Sequence, residues 1–189
     1  MDEKLDKFFD KLGGFGLYQL FLSCTFLITF NGAYALIVML SYLTKVPQEY
    51  FCIYEGSSEA QICTPADFCS DPTVTSYEPN MDLADSYYNW ILKYDLHCAS
   101  KMKIGIIGSV PFIGWVSTLL FIPRLADVYG RYKIILIGNI VQLLALTITV
   151  CTRSFPLLMV GLFIIGMTSS MRVQVSVLFM YENMSRANY

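Results

Sequence analysis

Charged residues are scarce in this chain, and where they fall decides what chemistry it has. Asp127, Gly130, Arg131 and Lys133 lie in one short stretch between two long apolar runs. A carboxylate and a guanidinium four residues apart can form a charge-assisted hydrogen bond. A carboxylate beside a helix N-terminus also stabilises that end. The plainer reading of the same residues is a capped turn that sets topology. Arg172 is the only charge deep within an apolar run. A charge at the bilayer centre costs at least about 2.5–3.5 kcal/mol on insertion scales, so Arg172 must face a partner or a water-filled cavity. Ser169, Ser170, Gln174 and Ser176 surround it in sequence. Arg172 and Gln174 are therefore candidates to touch a polar solute or ion, against a structural arginine paired with a neighbouring helix. Asn31, Tyr34 and Gln142 place further polar groups within apolar runs, where they can line a cavity or hydrogen-bond between helices.

A second group of residues carries sulfur chemistry. Cys52, Cys63, Cys69 and Cys98 cluster in one segment, which holds four of the six cysteines. Clustered cysteines in even number on a non-cytosolic face read as disulfides, with three possible connectivities for four residues. Zinc is the rival, but no pair has CxxC spacing and His97 is the only histidine. Cys24 and Cys151 fall within apolar runs and read as inert packing residues. Enzyme constellations are missing: the sequence has no paired histidines, nucleophile elbow or phosphate-binding glycine loop. No cofactor or metal is called for. A net charge of −2 gives no footing for nucleic acid.

The elements that position these residues are membrane spans. Apolar residues make up 55% of the chain and charged residues 15%, well below the quarter usual for soluble domains. A spanning helix needs roughly 20 mostly apolar residues, and the runs 17–43, 104–122, 134–151 and 155–181 qualify. Gly105, Gly108, Gly114, Gly161 and Gly166 recur within them, as expected where small residues let helices approach in lipid. Pro111 marks a kink. The first run is too long for a signal-peptide core, and the lead, residues 1–16, carries Leu5, Phe8, Phe9 and Leu12 at helical spacing along a membrane surface. The segment 123–133 reads as a short loop at that surface, since irregular backbone cannot face hydrocarbon.

Basic residues orient the spans. Lys4, Lys7 and Lys11 in the lead and Arg124, Arg131 and Lys133 in the short loop place both on the cytoplasmic side. The acidic, cysteine-bearing segment 44–101 then faces outside or a lumen. Loops of such length are usually functional or disordered. The sole glycosylation sequon, Asn183-Met184-Ser185, falls in the cytoplasmic tail, residues 182–189.

These residues resemble a known family. Asp127, Gly130, Arg131 and Lys133 resemble the signature between the second and third helices of the major facilitator superfamily, with Pro123 in place of its leading glycine. Gly14-Phe15-Gly16-Leu17-Tyr18-Gln19 resembles the entry to helix one in the organic cation/anion transporter branch. Trp90 and Tyr94-Asp95-Leu96-His97-Cys98 resemble that branch's ending of a long cysteine-rich loop. The resemblance implies an all-α membrane protein with four transmembrane helices. They would correspond to the first third of a twelve-helix transporter, with a long Cys-rich non-cytoplasmic loop between helices one and two. It also implies a small organic solute as substrate, bound between two halves and moved by alternating access. The second half would come from a missing C-terminal part or from partner membrane chains. Asp127, Gly130 and Arg131 inherit the family's cytoplasmic latch between halves. Leu162 stands where the family often has an arginine. The alternative is a shortened relative serving as a non-transporting structural subunit. The plasma membrane is the expected location, with a vesicle or the mitochondrial inner membrane as alternatives.

Overall fold

Hydrocarbon leaves backbone groups no partner but the chain itself, and the long apolar runs close their hydrogen bonds as helices. The computed structural model describes residues 17–56, 59–83 and 86–183, although several side chains of the first helix lie outside the description. Its elements are α1 (Leu17–Leu43), β1 (Tyr50–Tyr54), β2 (Gln61–Cys63), α2 (Pro65–Ser70), β3 (Val74–Pro79), α3 (Trp90–Lys93), α4 (Lys101–Thr118), α5 (Ile122–Tyr129), α6 (Arg131–Cys151) and α7 (Phe155–Asn183). The lead, the Gly14–Gly16 part of the entry motif and the sequon's Met184 and Ser185 lie outside the described residues.

The chain forms two compact units. The first takes in the described parts of Met1–Ile37, Val110–Thr152 and Pro156–Tyr189, and the second takes in Val38–Ser109 and Arg153–Phe155. Among the described residues, α6 and α7 are each long and apolar enough to cross a membrane, and α4 with α5 forms a third candidate bent by 48°. At 1.5 Å per residue, the 21 residues of α6 reach about 31 Å, the thickness of a hydrocarbon core.

Within the first unit, α6 and α7 pack as an antiparallel pair along one seam. A Cβ at Gly138 would meet Met171 at 3.0 Å and the Arg172 stem at 3.8 Å. One turn on, buried Gln142 receives a hydrogen bond from the Thr168 hydroxyl. Further along, a Cβ at Gly161 would collide with the Thr149 hydroxyl. As numbers rise along α6 they fall along α7, and gaps alternate with polar contacts. A second close approach joins α7 to α4, where a Cβ at Gly166 would fall on the Pro111 carbonyl and one at Gly114 on the Phe163 carbonyl. By contrast, Gly105 and Gly108 have open space around them and pack nothing among the described residues.

Three expectations need correction in this unit. Segment 123–133 is not a loop: Ile122–Tyr129 is helix, and α6 begins at Arg131. Ile122 and Ala126, one turn apart, bury against Ile134 and Val175, which holds α5 helical. Only Gly130 breaks the path, at φ +92°, a conformation that costs a side-chain-bearing residue strain. The span expected at 104–122 runs as helix unbroken through Pro111, and the break comes at Leu119–Phe121 with Pro123 opening α5. Cys24 and Cys151 are exposed rather than packed.

The second unit departs from an all-α chain. Segment 44–101 carries a three-stranded antiparallel sheet in the order β2-β1-β3. Tyr50 and Cys52 alternate inward along β1 and form its core with Cys63 and Phe68. Of the three connectivities, the structure adopts Cys52–Cys63 and Cys69–Cys98. Register explains the first pair: Tyr50 faces Cys63 across the ladder and Cys52 lies two residues on. Closing loops of 11 and 29 residues contributes about 3 and about 3.5 kcal/mol in a chain-entropy account. The buried Asn89 caps α3, accepting from Ile91 N and Leu92 N, and donates to carbonyls of Tyr42 and Lys45. That side chain alone pins the end of α1 to the segment's last helix.

His97 is structural. Its side chain is 8% exposed, with Nδ1 2.9 Å from the Tyr50 hydroxyl and Nε2 3.4 Å from Asp95. Phe68 stacks on Tyr77 at 4.3 Å, and both tyrosines present edges to the imidazole. Burial pulls the His97 pKa below its ordinary 6.5, against an upward pull from Asp95. Burial likewise pushes the Tyr50 phenol up to about 12, with Tyr77 adding to it. Asp67, which accepts from the Thr64 backbone and hydroxyl, sits below the usual carboxylate range.

Two predictions follow from these contacts. Gly166→Ala forces α7 off Pro111 and should lower thermal stability in detergent by about 1–3 kcal/mol, whereas Gly108→Ala should not lower it. Equal melting temperatures for the two variants would refute the close crossing. For His97, the unfolded imidazole binds a proton near pH 6.5 that the folded one still refuses, so stability falls as pH drops below that value and is complete above it. Protection factors of the β1 amides, corrected for the intrinsic pH dependence of exchange, should therefore fall between pH 7 and pH 5.5, and His97→Gln should flatten the change. Asp67 acts in the same sense at lower pH, below its unfolded value of 3.8.

Candidate functional site

The strongest cluster of chemistry sits where α5, α6 and α7 end together. Gly130 turns the chain from α5 into α6 and puts Asp127 and Arg131 one helical turn apart. Arg131 Nη2 lies 3.2 Å from Asp127 Oδ1 and 2.6 Å from Glu182 Oε1. One guanidinium thus joins carboxylates from two other helices. Glu182 was not among the candidate site residues. Its signal was there: it is the last charge of α7, a helix whose only other charge is Arg172. Arg131 is mostly covered while both carboxylates are open to solvent. Solvent screening keeps such pairs weak, about 0–1 kcal/mol each. Lys133 is exposed nearby, on the rim of a shallow 530 Å³ recess that Asp127, Gly130, Arg131 and Glu182 also line.

The mid-helix candidates separate. Arg172 and Gln174 are neighbours in sequence, but two residues along a helix turn the side chain by about 200°. Arg172 is 8% exposed and lies in the α6–α7 seam, where Gly138 makes room for its stem. Gln174 is half-buried and accepts a hydrogen bond from Ser170 at 3.1 Å. Gln142 is 3% exposed; its carbonyl takes the Thr168 hydrogen bond, and its Nε2 has no hydrogen-bond partner among the described residues. So Gln142 joins helices, and Arg172 belongs to the same seam one turn away. Leu162, also on α7, is fully buried. Asn31 and Tyr34 lie on α1, with side chains outside the description. The four loop cysteines are paired, and among the described residues no cluster of His, Cys, Asp and Glu could hold a metal ion.

Arg131→Ala and Glu182→Gln, made singly and together, test the terminal cluster. Thermal unfolding should give a coupling of up to about 1 kcal/mol that shrinks as salt rises. Strict additivity of the two substitutions at low salt would show that the pair contributes nothing.

Comparison with known proteins rests on one match. Residues 20–188, from α1 to beyond the end of α7, fit the family described as Major Facilitator Superfamily. No curated protein and no solved structure matches the chain. The family match covers far more than half of the sequence, and the helices and the Asp127–Arg131–Glu182 cluster lie within it. The chain belongs to the Major Facilitator Superfamily.

Proposed function

We propose that this chain supplies four membrane-spanning helices of a transporter that moves a small organic solute by alternating access. The family is one of transporters rather than enzymes. The observation that carries the reading is the Arg131 guanidinium, which binds Asp127 and Glu182 at once and ties three helix ends at one surface. The spans are α1, the bent α4–α5 pair, α6 and α7. α1 has 27 residues and no charge. The Arg131 end lies in the cytoplasm with the N-terminus, on the strength of Arg124, Arg131 and Lys133. The disulfide-linked sheet then faces an oxidising exterior or lumen. The plasma membrane is the membrane we favour.

The organic cation/anion branch is the finer assignment, supported by the entry motif before Gln19 and by Trp90 with Tyr94–Cys98. Both ends of the latter motif are structurally tied: Trp90 and Leu96 are buried, and Cys98 is disulfide-bonded. For the solute path, Gln174 is the better candidate because it lies away from the α6–α7 seam and is partly accessible. Arg172 positions α7 against α6. Asn31 and Tyr34 on α1 remain candidates from the sequence, and Gln142 holds helices together.

Uptake into proteoliposomes by the complete gene product, tested with labelled organic cations and anions, decides the matter. A saturable signal is expected for one charge class. Gln174→Ala should raise KM for that solute at least threefold with the amount of folded protein unchanged, and Arg172→Ala should lower the folded yield instead. A well-folded protein that carries neither class, yet purifies at fixed stoichiometry with other membrane chains, would be a structural subunit.

A further inference from the structure

Several buried polar atoms of the first unit have no hydrogen-bond partner among the described residues, and one of them, on Ser176, faces a hollow. Ser176 on α7 is 6% exposed, and its hydroxyl has no hydrogen-bond partner among the described residues. Helix serines and threonines normally return their proton to the preceding turn. On the same helix Ser169 donates to Ile165 O at 2.8 Å, and on α1 Thr25 donates to Phe21 O at 2.9 Å. Ser176 does not, and it lines a hollow of about 320 Å³ bounded by α1, α6 and α7. The walls include Phe21, Leu136, Asn139 and Phe179, and among the described residues no charged side chain lines the hollow.

We propose that this hollow binds the single chain of a neutral amphiphile, a monoacylglycerol or fatty alcohol, with its hydroxyl or carbonyl on Ser176. The volume lies at the small end of ligand sites, about 300–1,000 Å³, and at about 30 Å³ per water-sized group it takes on the order of ten such groups. Aromatic and aliphatic walls suit a hydrocarbon chain. The described lining gives an anionic or cationic head no counterion, so against it a charged head would be buried at a cost of several kcal/mol. A hydroxyl is matched twice, since Ser176 both donates and accepts and the Asn139 amide does the same. The hollow lies among the first turns of α1 and α6 and the last turns of α7, the same end as Arg131. The ligand therefore enters from the leaflet on that side. This inference needs only that the helices sit in lipid, and it stands whether or not the protein carries a solute.

The test uses the full chain in phosphatidylcholine nanodiscs with a photoactivatable monoacylglycerol. Label should concentrate on peptides containing Leu136–Asn139 and Ser176–Phe179, and unlabelled monoacylglycerol should compete for it. Ser176→Ala leaves the apolar wall intact and should cut labelling there at least fivefold. Leu136→Trp, which fills the hollow, should do the same, and thermal unfolding of both variants checks that they are folded. Label spread evenly along the lipid-facing side of α6, including Leu143 and Val150, would overturn the proposal. So would unchanged labelling of Ser176→Ala. A Ser176→Cys variant that cross-links efficiently to residues of the lead or to another chain would overturn it too, by showing that protein covers the hollow.

Discussion

A hydroxyl or amide sunk in hydrocarbon has no water to return to, so leaving its donor or acceptor without a partner costs free energy. The α6–α7 seam is built on that constraint. Gln142 answers Thr168, and the two glycines on either side, Gly138 and Gly161, let the backbones come close enough for the bond to form. Hydrogen bonds between membrane helices are individually modest, about 0.6 kcal/mol on average. Their force lies in what misalignment would cost. A slip of one turn would set the Gln142 amide against Ile164 or Arg172 and press Thr149 on Leu157 or Ile165. A polar group would be orphaned and a bulky side chain driven into a gap shaped for glycine. Leu143 and Val150, on the other side of α6, are 65% and 69% exposed and carry no such information. The helix is polar and small where it meets protein, and apolar and large where it meets lipid.

Much of this plan was legible in the sequence, and the reasons for the exceptions are physical. Spans announce themselves by length and apolarity alone, so α6 and α7 were found to within a few residues. The segment 123–133 was misread because its charges and Pro123 look like a loop. Pro123 also fits a helix's first turn, but the buried pair that holds the helix, Ile122 and Ala126, has its partners Ile134 and Val175 elsewhere in the chain. The sheet in 44–101 left a fainter trace still. Its strands are three to six residues long, and the alternation of Tyr50 and Cys52 is too short to stand out among acidic and turn-forming residues. Disulfide pairing depends on register, which no spacing reveals. Glu182 was visible as a charge but not as a partner, because the contact spans 131 to 182 and only the α6–α7 antiparallel arrangement brings the ends together. Arg172 and Gln174 show what sequence adjacency leaves out. Adjacency in sequence suggested a shared site, and helical geometry sends them to different faces.

The second unit solves a different problem. With nine carboxylates and strands of three to six residues, this segment packs its sheet around a small core, Tyr50, Cys52, Cys63 and Phe68. Its stability comes from cross-links and rings: two disulfides, the Phe68–Tyr77 stack and an imidazole enclosed by tyrosines. Keeping His97 neutral is part of this economy, since a protonated ring would need a counter-charge and only the exposed Asp95 is close. Asp95 itself adopts φ +52°, a left-handed conformation that Asp tolerates better than most residues. That turn brings His97 back to Tyr50 and delivers Cys98 to Cys69.

The Arg131 cluster shows why weak bonding can suit its place. A guanidinium shared between two solvent-exposed carboxylates holds the helix ends with only about 0–1 kcal/mol per pair. Were the cluster fully buried, breaking it would cost roughly 3–5 kcal/mol. A two-state equilibrium must shift by about 5.5 kcal/mol to go from 1:99 to 99:1, so a buried lock would consume most of any solute's differential binding energy. The exposed arrangement leaves that energy for the conformational change itself. It also leaves Arg131 able to exchange one carboxylate for another, because both present partners are open to solvent and neither encloses it. Under the transporter reading, this is the property the cytoplasmic end of the chain requires: a contact strong enough to order α5 against α7, and shallow enough to be remade in each state.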